Sequence, residues 1–520
     1  MKNELIEARY LPQKVPDYKG NPLIEALPPI YSPSKATQLL TVDIGYHEGE
    51  REFDDEYREH CIYRLFRYFQ PLETHIDIEK RVSRAIRQGY ISKNPIKPQY
   101  TAKLVQGAAA IKNGSYDWHN EYNPYSTAAG FTIIGLSGVG KTTAIERILS
   151  LYPQQIQHTN YNNEPLFLTQ LTWAKIDCPF DGSLKGLCFS FFAYIDKVLG
   201  TDYSRKFAVN RMTVDSALPR MAQIATSHCL GLLVIDEIQH LSQAKSGGKE
   251  KMLNFFVTLV NTVGVPVVLI GTSKALPILQ SEFRQARRGS GQGDLIWERM
   301  QNDISWDVMI RAMWKNQWTR EHTPLTDELK NVLYDESQGI LDIAVKLYAF
   351  AQAKVIGDGT EKVTAAAIRE VAAVKLKLLK NYLDAIRSGD VKKMAQYEDI
   401  TPITATDYIS AQFGRVSSGA DFGREAELSL EEQAVIKLLE LDIPSKTARL
   451  AVKKALGNAK IGQPLATVAK KAFKIALNMD SDEDAPEIIE QEDDLRNTAG
   501  ASVYETLKQS GVVATDKDEF

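Results

Sequence analysis

The chain has 520 residues, of which 44% are hydrophobic and 25% charged, with a formal net charge of −4. That length allows two to four domains with ample buried core, and the balance is ordinary for a soluble globular protein. No segment approaches 18 apolar residues, so no membrane span is expected, and the near-neutral charge does not announce a nucleic-acid binder, although a basic stripe offset by an acidic tail would be hidden in it.

Lys2, Glu4, Glu7 and Arg9 interrupt any apolar run at the start, so no signal peptide is expected. Residues 1–56 are rich in proline and tyrosine and read as an irregular arm with little helix. Residues 57–90 switch to helical apolar spacing with many arginines: Arg58, Arg64, Arg67, Arg81, Arg84 and Arg87. They read as two amphipathic helices, solvated or serving as a surface for DNA or a partner, with Gly89 closing the second. Residues 1–100 are thus expected to form an N-terminal partner-docking region. Residues 101–125 form a connector ending in SYDWHNEYNPY.

An α/β core is expected over residues 101–304. Phe131 to Ile134 read as a buried strand, followed by a glycine-rich loop and a helix from Thr142 to about Leu151. PLFLTQLTWAKIDCP has a strand pattern, and Asp181 or Ser183 is placed to cap a helix ending at Leu199. A further helix is expected at 214–228. Leu232 to Ile235 and Val265 to Ile270 are apolar strands. Near-continuously apolar strands alternating with helices indicate a parallel sheet covered on both faces. Residues 305–380 show no strand pattern and read as a small helical bundle. Residues 381–428 read as a linker and 429–478 as a second small helical unit. The acidic run from Asp480 to Asp494 lies in a tail, 479–520, expected to be disordered. The four cysteines are far apart without a CxxC pair, which favours a reduced cytoplasmic protein without disulfides. His60, Cys61 and His75 fit no common zinc spacing.

The chemistry is concentrated in FTIIGLSGVGKTT, residues 131–143, which fits G-x-x-x-x-G-K-[ST]. Gly135, Ser137, Gly138, Val139, Gly140, Lys141, Thr142 and Thr143 make a phosphate cradle. Its glycines let backbone N–H groups turn toward an anion, and the following helix adds its positive end. Lys141 neutralises the outer phosphates of ATP, and the Thr142 hydroxyl is placed to ligate Mg²⁺. LLVIDE puts Asp236 at the end of a buried strand, where it can hold Mg²⁺, and Glu237 beside it, where it can polarise an attacking water. Thr272 and Ser273 follow the next strand, where a hydroxyl can contact the terminal phosphate or the attacking water. Arg284, Arg287, Arg288 and Arg299 are the candidates for an arginine reaching a neighbouring subunit's site. A GTPase is set aside: AKID lacks the asparagine of N-K-x-D and precedes the Asp236 strand, and no D-x-x-G follows.

GLSGVGKTT, LLVIDE and LIGTS, followed by a helical lid, resemble an AAA+ ATPase. More closely, with RLFRYFQPLETHIDIEKRVSRAIRQGYISKNP ahead of the core and VIDEIQHL within it, residues 57 to about 380 resemble the TnsC family. These are AAA+ regulators of target selection in bacterial cut-and-paste transposons. The resemblance implies a homo-oligomeric ring or filament, assembled with ATP on double-stranded DNA. It also implies a target-selecting protein as recruiter, transposase and nuclease subunits as clients, and hydrolysis as the disassembly step. It places DNA contacts in the helical region after the second strand, with Lys185, Arg205, Lys206 and Arg211 as local candidates. The chain departs from the AAA+ lid pattern G-x-x-R: SQGILDIA has Asp342 three residues after Gly339, so either Lys346 compensates or the lid does not sense the phosphate directly. The rival readings are a replication initiator or helicase loader, and a signalling ATPase scaffold that never touches DNA.

Overall fold

The computed structural model describes residues 5–100, 129–207, 214–243, 264–276, 293–389 and 445–456, with a few isolated positions beside them. The chain divides into two compact units, Met1–Val416 and Ser417–Phe520. In the second, the described element is one helix, Ser445–Leu456; the acidic tail and most of the expected 429–478 unit lie outside the described residues.

The first unit opens with a short strand, β1 (Leu5–Glu7), and two helices, α1 (Pro22–Glu25) and α2 (Pro33–Leu40). Each helix has a proline at its first position and a capping side chain before it, Asn21 and Ser32. Leu23, Ile24 and Leu27 are fully buried. The expected irregular arm is therefore folded into the main core; its apolar residues come in runs too short, between prolines, to show a period. Helix α3 (Asp55–Ile62) and the 19-residue α4 (Glu73–Ile91) follow. Gly89 does not close α4. A Cβ there would lie 2.7 Å from the Pro266 ring and 3.3 Å from the Gly231 carbonyl, so this glycine lets α4 lie against the sheet.

The central sheet has five parallel strands in the order β5-β6-β7-β2-β8: β2 (Phe131–Gly135), β5 (Trp173–Asp177), β6 (Leu232–Asp236), β7 (Val267–Gly271) and β8 (Asp294–Trp297). The side chains alternate between faces, as a doubly covered sheet requires. Phe131, Ile133, Leu232, Val234, Val268 and Ile270 join the core with α4 and with α5 (Lys141–Leu149). Ile134, Leu233, Ile235, Val267 and Leu269 join the opposite core, with α6 (Leu184–Leu199) and α8 (Val214–Ser227); the short α7 (Tyr203–Phe207) lies between these two helices in sequence. Ser183 caps α6 through the Gly186 N–H.

Three further features depart from expectation. Residues 164–177 are two strands, and β3 (Gln155–Tyr161) precedes them; β3 and β4 (Glu164–Leu171) form an antiparallel hairpin on which β1 adds a parallel strand. Its turn is Asn162-Asn163, both with positive φ (50° and 66°), the backbone that a two-residue hairpin turn demands. The strand β8 lies between the candidate arginines Arg288 and Arg299, where no strand was expected. Residues 381–388, read as linker, belong to a helix.

After the sheet come α9 (Ile304–Trp314), α10 (Asp327–Ser337), α11 (Leu341–Gly357), α12 (Ala365–Lys375) and α13 (Lys380–Ser388). These helices share one core with the N-terminal region. The arginines of residues 57–90 divide by burial. Arg58 and Arg87 are buried at 0% and 1% exposure, so neither is a solvated or DNA-facing charge. No helix among the described residues is long and apolar enough to cross a membrane.

Candidate nucleotide site

The carboxyl ends of three adjacent strands, β6, β7 and β2, bring the predicted residues together, with β5 and β8 flanking them. Asp177 pairs in register with Asp236, Ile134 with Gly271, and Gly135 with Trp297. Strand β7 therefore separates the loop strand from the Asp236 strand, and Thr272 emerges between them.

The loop glycines serve two different purposes. Gly138 (φ +80°) and Gly140 (φ +99°) need the left-handed backbone. Gly135 does not. It is required because a Cβ there would sit 2.2 Å from the Trp297 carbonyl of β8. Gly140 leads into α5, where its carbonyl accepts from Ala144 N at 2.9 Å. Lys141 Nζ lies inside the loop, donating to Gly135 O at 2.9 Å and Leu136 O at 2.8 Å. Val139 is buried, Ser137 half-buried and Thr143 exposed. The bundle reaches the loop directly: Tyr382 donates to Ser137 O at 3.3 Å, and the Cβ position of Gly138 is 3.0 Å from Ile340.

Thr142 Oγ1 donates to Asp236 Oδ2 at 2.8 Å, joining the two expected magnesium ligands. Asp236 is 2% exposed, and its other oxygen accepts from the Glu237 N–H at 2.9 Å. Glu237 itself is exposed and has a left-handed backbone, φ +59°. A non-glycine residue held there is strained, as residues at functional sites often are. Thr272 is 6% exposed, and its Oγ1 has no hydrogen-bond partner among the described residues; Ser273 is half-buried beside it.

Two site residues were not expected. Lys175 of β5 places Nζ 3.2 Å from Glu146, 3.3 Å from Asp177 and 3.5 Å from Asp236. Burial presses its pKa down, but the charges of Asp236, Asp177 and Glu146 outweigh that and hold it above the usual lysine range. Its sequence signal was the AKID motif, weighed only as a base-reading motif. Gln239, buried two residues after Glu237, is the second.

Other candidates bond to residues outside this cluster. Arg299 donates to Gln338 O at 3.1 Å and Gln338 Oε1 at 2.9 Å, at the end of α10. Lys346 donates to Asp342 at 2.6 Å, so the lysine offered as compensation is bound by the very residue at the arginine position. Lys185, Arg205 and Lys206 are exposed, and Arg205 pairs loosely with Asp202 at 3.4 Å. Arg211, Arg284, Arg287, Arg288 and most of the connector at 101–125 lie outside the described residues.

The donor set fits magnesium and a nucleotide. Thr142 and Asp236 supply hard oxygen ligands to one point, at the mouth of a loop that feeds a helix N-terminus. The orphaned Thr272 hydroxyl is a polar atom in want of a partner.

Residues 125–279 match the family model of the AAA domain. Among solved structures, the chain is similar to the Aeropyrum pernix ORC1 protein in complex with DNA, with 12% identity and a TM-score of 0.35, covering 74% of this chain and 84% of that one. It is also similar to Cdc6p from Pyrobaculum aerophilum, with 12% identity and a TM-score of 0.31, covering 82% and 92%. For the Thermotoga maritima RuvB Holliday junction branch migration motor the values are 13% and 0.28, covering 61% and 80%. No curated protein sequence matches the chain. The stretch that matches the AAA domain model takes in the phosphate loop, Asp236, Glu237 and Thr272 together.

Proposed function

We propose that the chain is an ATP-hydrolysing switch that assembles on double-stranded DNA and regulates transposition, linking a target-selecting protein to transposase and nuclease subunits. The observation that carries hydrolysis is the 2.8 Å contact of Thr142 with Asp236, with Glu237 exposed next to it. Lys141 and the loop N–H groups bind the phosphates of ATP. Thr142 and Asp236 would hold Mg²⁺, which would supply charge neutralisation at the terminal phosphates. Glu237 takes a proton from water as the water oxygen bonds to the terminal phosphorus, and ADP leaves with the electrons of the broken P–O bond. Thr272 and Ser273 contact the terminal phosphate. An arginine from a neighbouring copy, Arg287, Arg288 or Arg299, completes the charge balance.

The DNA and transposition parts of the reading are supported by the sequence resemblance and by the exposure of Lys185, Arg205 and Lys206. Phosphate contacts of this kind are sequence-independent and salt-sensitive. Lys346 bound to Asp342 leaves the bundle without a cation offered to the phosphate from this position, which favours slow turnover.

Co-sedimentation with random double-stranded DNA tests the proposal. Binding is expected with a non-hydrolysable ATP analogue and not without nucleotide. Glu237→Gln is expected to trap ATP-bound oligomers on DNA, and Lys141→Ala to lose nucleotide binding. Nucleotide-independent sedimentation, or none, removes the DNA switch and leaves a protein scaffold.

A further inference from the structure

Gln239 has both ends of its carboxamide occupied. Oε1 accepts from the backbone N–H of Thr272 at 3.1 Å, and Nε2 donates to Glu237 Oε2. The first bond dictates the second. An amide oxygen held by an N–H must turn its NH₂ group the other way, and there it meets the carboxylate. The chain geometry makes this reach possible. A single 3₁₀ stretch, Ile238–Gln243, begins directly after Glu237 and lays Gln239 against the end of β7. The pocket is close-fitting: a Cβ at Gly271 would lie 2.6 Å from Ile238 and 3.0 Å from Gln239 Oε1. With 6% exposure, Gln239 has no second place to go.

We infer that Gln239 is a positioning residue, which aims the Glu237 carboxylate from the end of the strand that carries Thr272. This inference rests on the hydrolase reading above. The exposed Glu237 side chain would otherwise rotate freely in water, and its strained backbone alone does not fix its carboxylate. Gln239 anchors Oε2 to a backbone group of the sheet and leaves Oε1 as the proton acceptor. The base and the residue facing the terminal phosphate are thereby tied through one side chain. A shift of the β7 end, as Thr272 engages phosphate, is passed to Glu237 through two hydrogen bonds.

The test uses the full chain and Gln239→Met, which keeps the length and removes both hydrogen-bonding groups. The turnover number is expected to fall about 10- to 100-fold, the range that misplacing a catalytic group costs. KM for ATP and the melting temperature are expected to stay near those of the parent. A double-mutant cycle separates positioning from mere packing. In a Glu237→Gln background, Gln239→Met should leave the residual rate unchanged, because the group it aims is gone. The inference is overturned if Gln239→Met hydrolyses ATP like the parent while Glu237→Gln does not. It is equally overturned if the rate loss persists undiminished in the Glu237→Gln background, or if Gln239→Met raises turnover, which would make the contact a brake. Parent-like hydrolysis by Glu237→Gln would instead remove the base assignment itself, and this inference with it.

Discussion

Glu361→Ala is expected to destabilise the protein by about 3–5 kcal/mol, the cost of breaking a buried ion pair from one side. Arg58 is wholly buried. Its guanidinium donates to both Glu361 oxygens, at 2.8 and 2.6 Å, to Trp318 O at 3.0 Å and to Asp55 at 2.5 Å. Without Glu361 the charge stays buried, and among the described residues the half-exposed Asp55 is the carboxylate left beside it, with the Trp318 carbonyl. Asp55→Ala is the control: it removes a solvent-screened partner and should cost at most about 1 kcal/mol. Thermal unfolding of the two variants reads the difference. Acid gives a second readout. Burial works to raise the Glu361 pKa, but hydrogen bonds from Arg58 and the Arg320 N–H, with their charges, bring it below the ordinary value. The folded pKa is the lower one, so the stabilisation is complete above the unfolded carboxylate range. It is lost as pH falls from about 4.3 through the folded value. The acid sensitivity of the parent should therefore be blunted in Glu361→Ala.

The same cluster explains the arginine-rich stretch that sequence alone left open between solvated helices and a binding surface. Arg51 donates to Thr319 O and Arg320 O, and Arg64 pairs with Glu50 while lying 5.2 Å over the Trp318 ring. Arg58, Arg64 and Arg51 thus fasten the N-terminal region to the helical bundle. Charge pattern cannot reveal this, because the partners on the bundle are backbone carbonyls, the Trp318 ring and one glutamate about 300 residues away. By contrast, the site was legible wherever its chemistry is local. Gly138, Gly140, Lys141 and Thr142 fall within five residues, and Asp236 ends a strand too apolar to mistake, with Glu237 directly after it. Lys175 and Gln239 were missed because their meaning lies in strand adjacency: β5 beside β6, and the turn after β6 against the end of β7. The strand β8 was missed for a related reason. Its four residues have no period to speak of, and its pairing along β2, from Thr132 to Gly135, makes it a strand. That pairing also corrects the role of Gly135, which is a glycine of close approach.

Gly339→Ala is expected to be the most damaging single methyl in the bundle. Gly339 has φ +74°, and it follows Gln338, itself left-handed at +53°. A Cβ at Gly339 would lie 2.1 Å from the Met300 carbonyl, a backbone atom that cannot step aside, while Gly339 O accepts from Met300 N at 3.1 Å. The left-handed backbone costs a non-glycine residue about 1–3 kcal/mol, and overpacking a fixed neighbour costs about 1–3 kcal/mol more. Gly359 isolates the first term: its φ is +70°, yet its Cβ position meets nothing within 4 Å. Gly359→Ala should therefore show the backbone penalty alone, and Gly339→Ala should melt well below it. The consequence reaches the nucleotide site, because Ile340, next in the chain, is fully buried and packs 3.0 Å from the Cβ position of Gly138 in the phosphate loop. Forcing Met300 away from Gly339 pulls the start of α11 from that loop. ATP affinity should fall in Gly339→Ala and hold in Gly359→Ala, as titration with a fluorescent ATP analogue would read. Equal melting temperatures for the two variants would mean that the Met300 contact yields at no cost. Equal ATP affinities would mean that the bundle steadies the loop through Tyr382 on Ser137 rather than through Ile340.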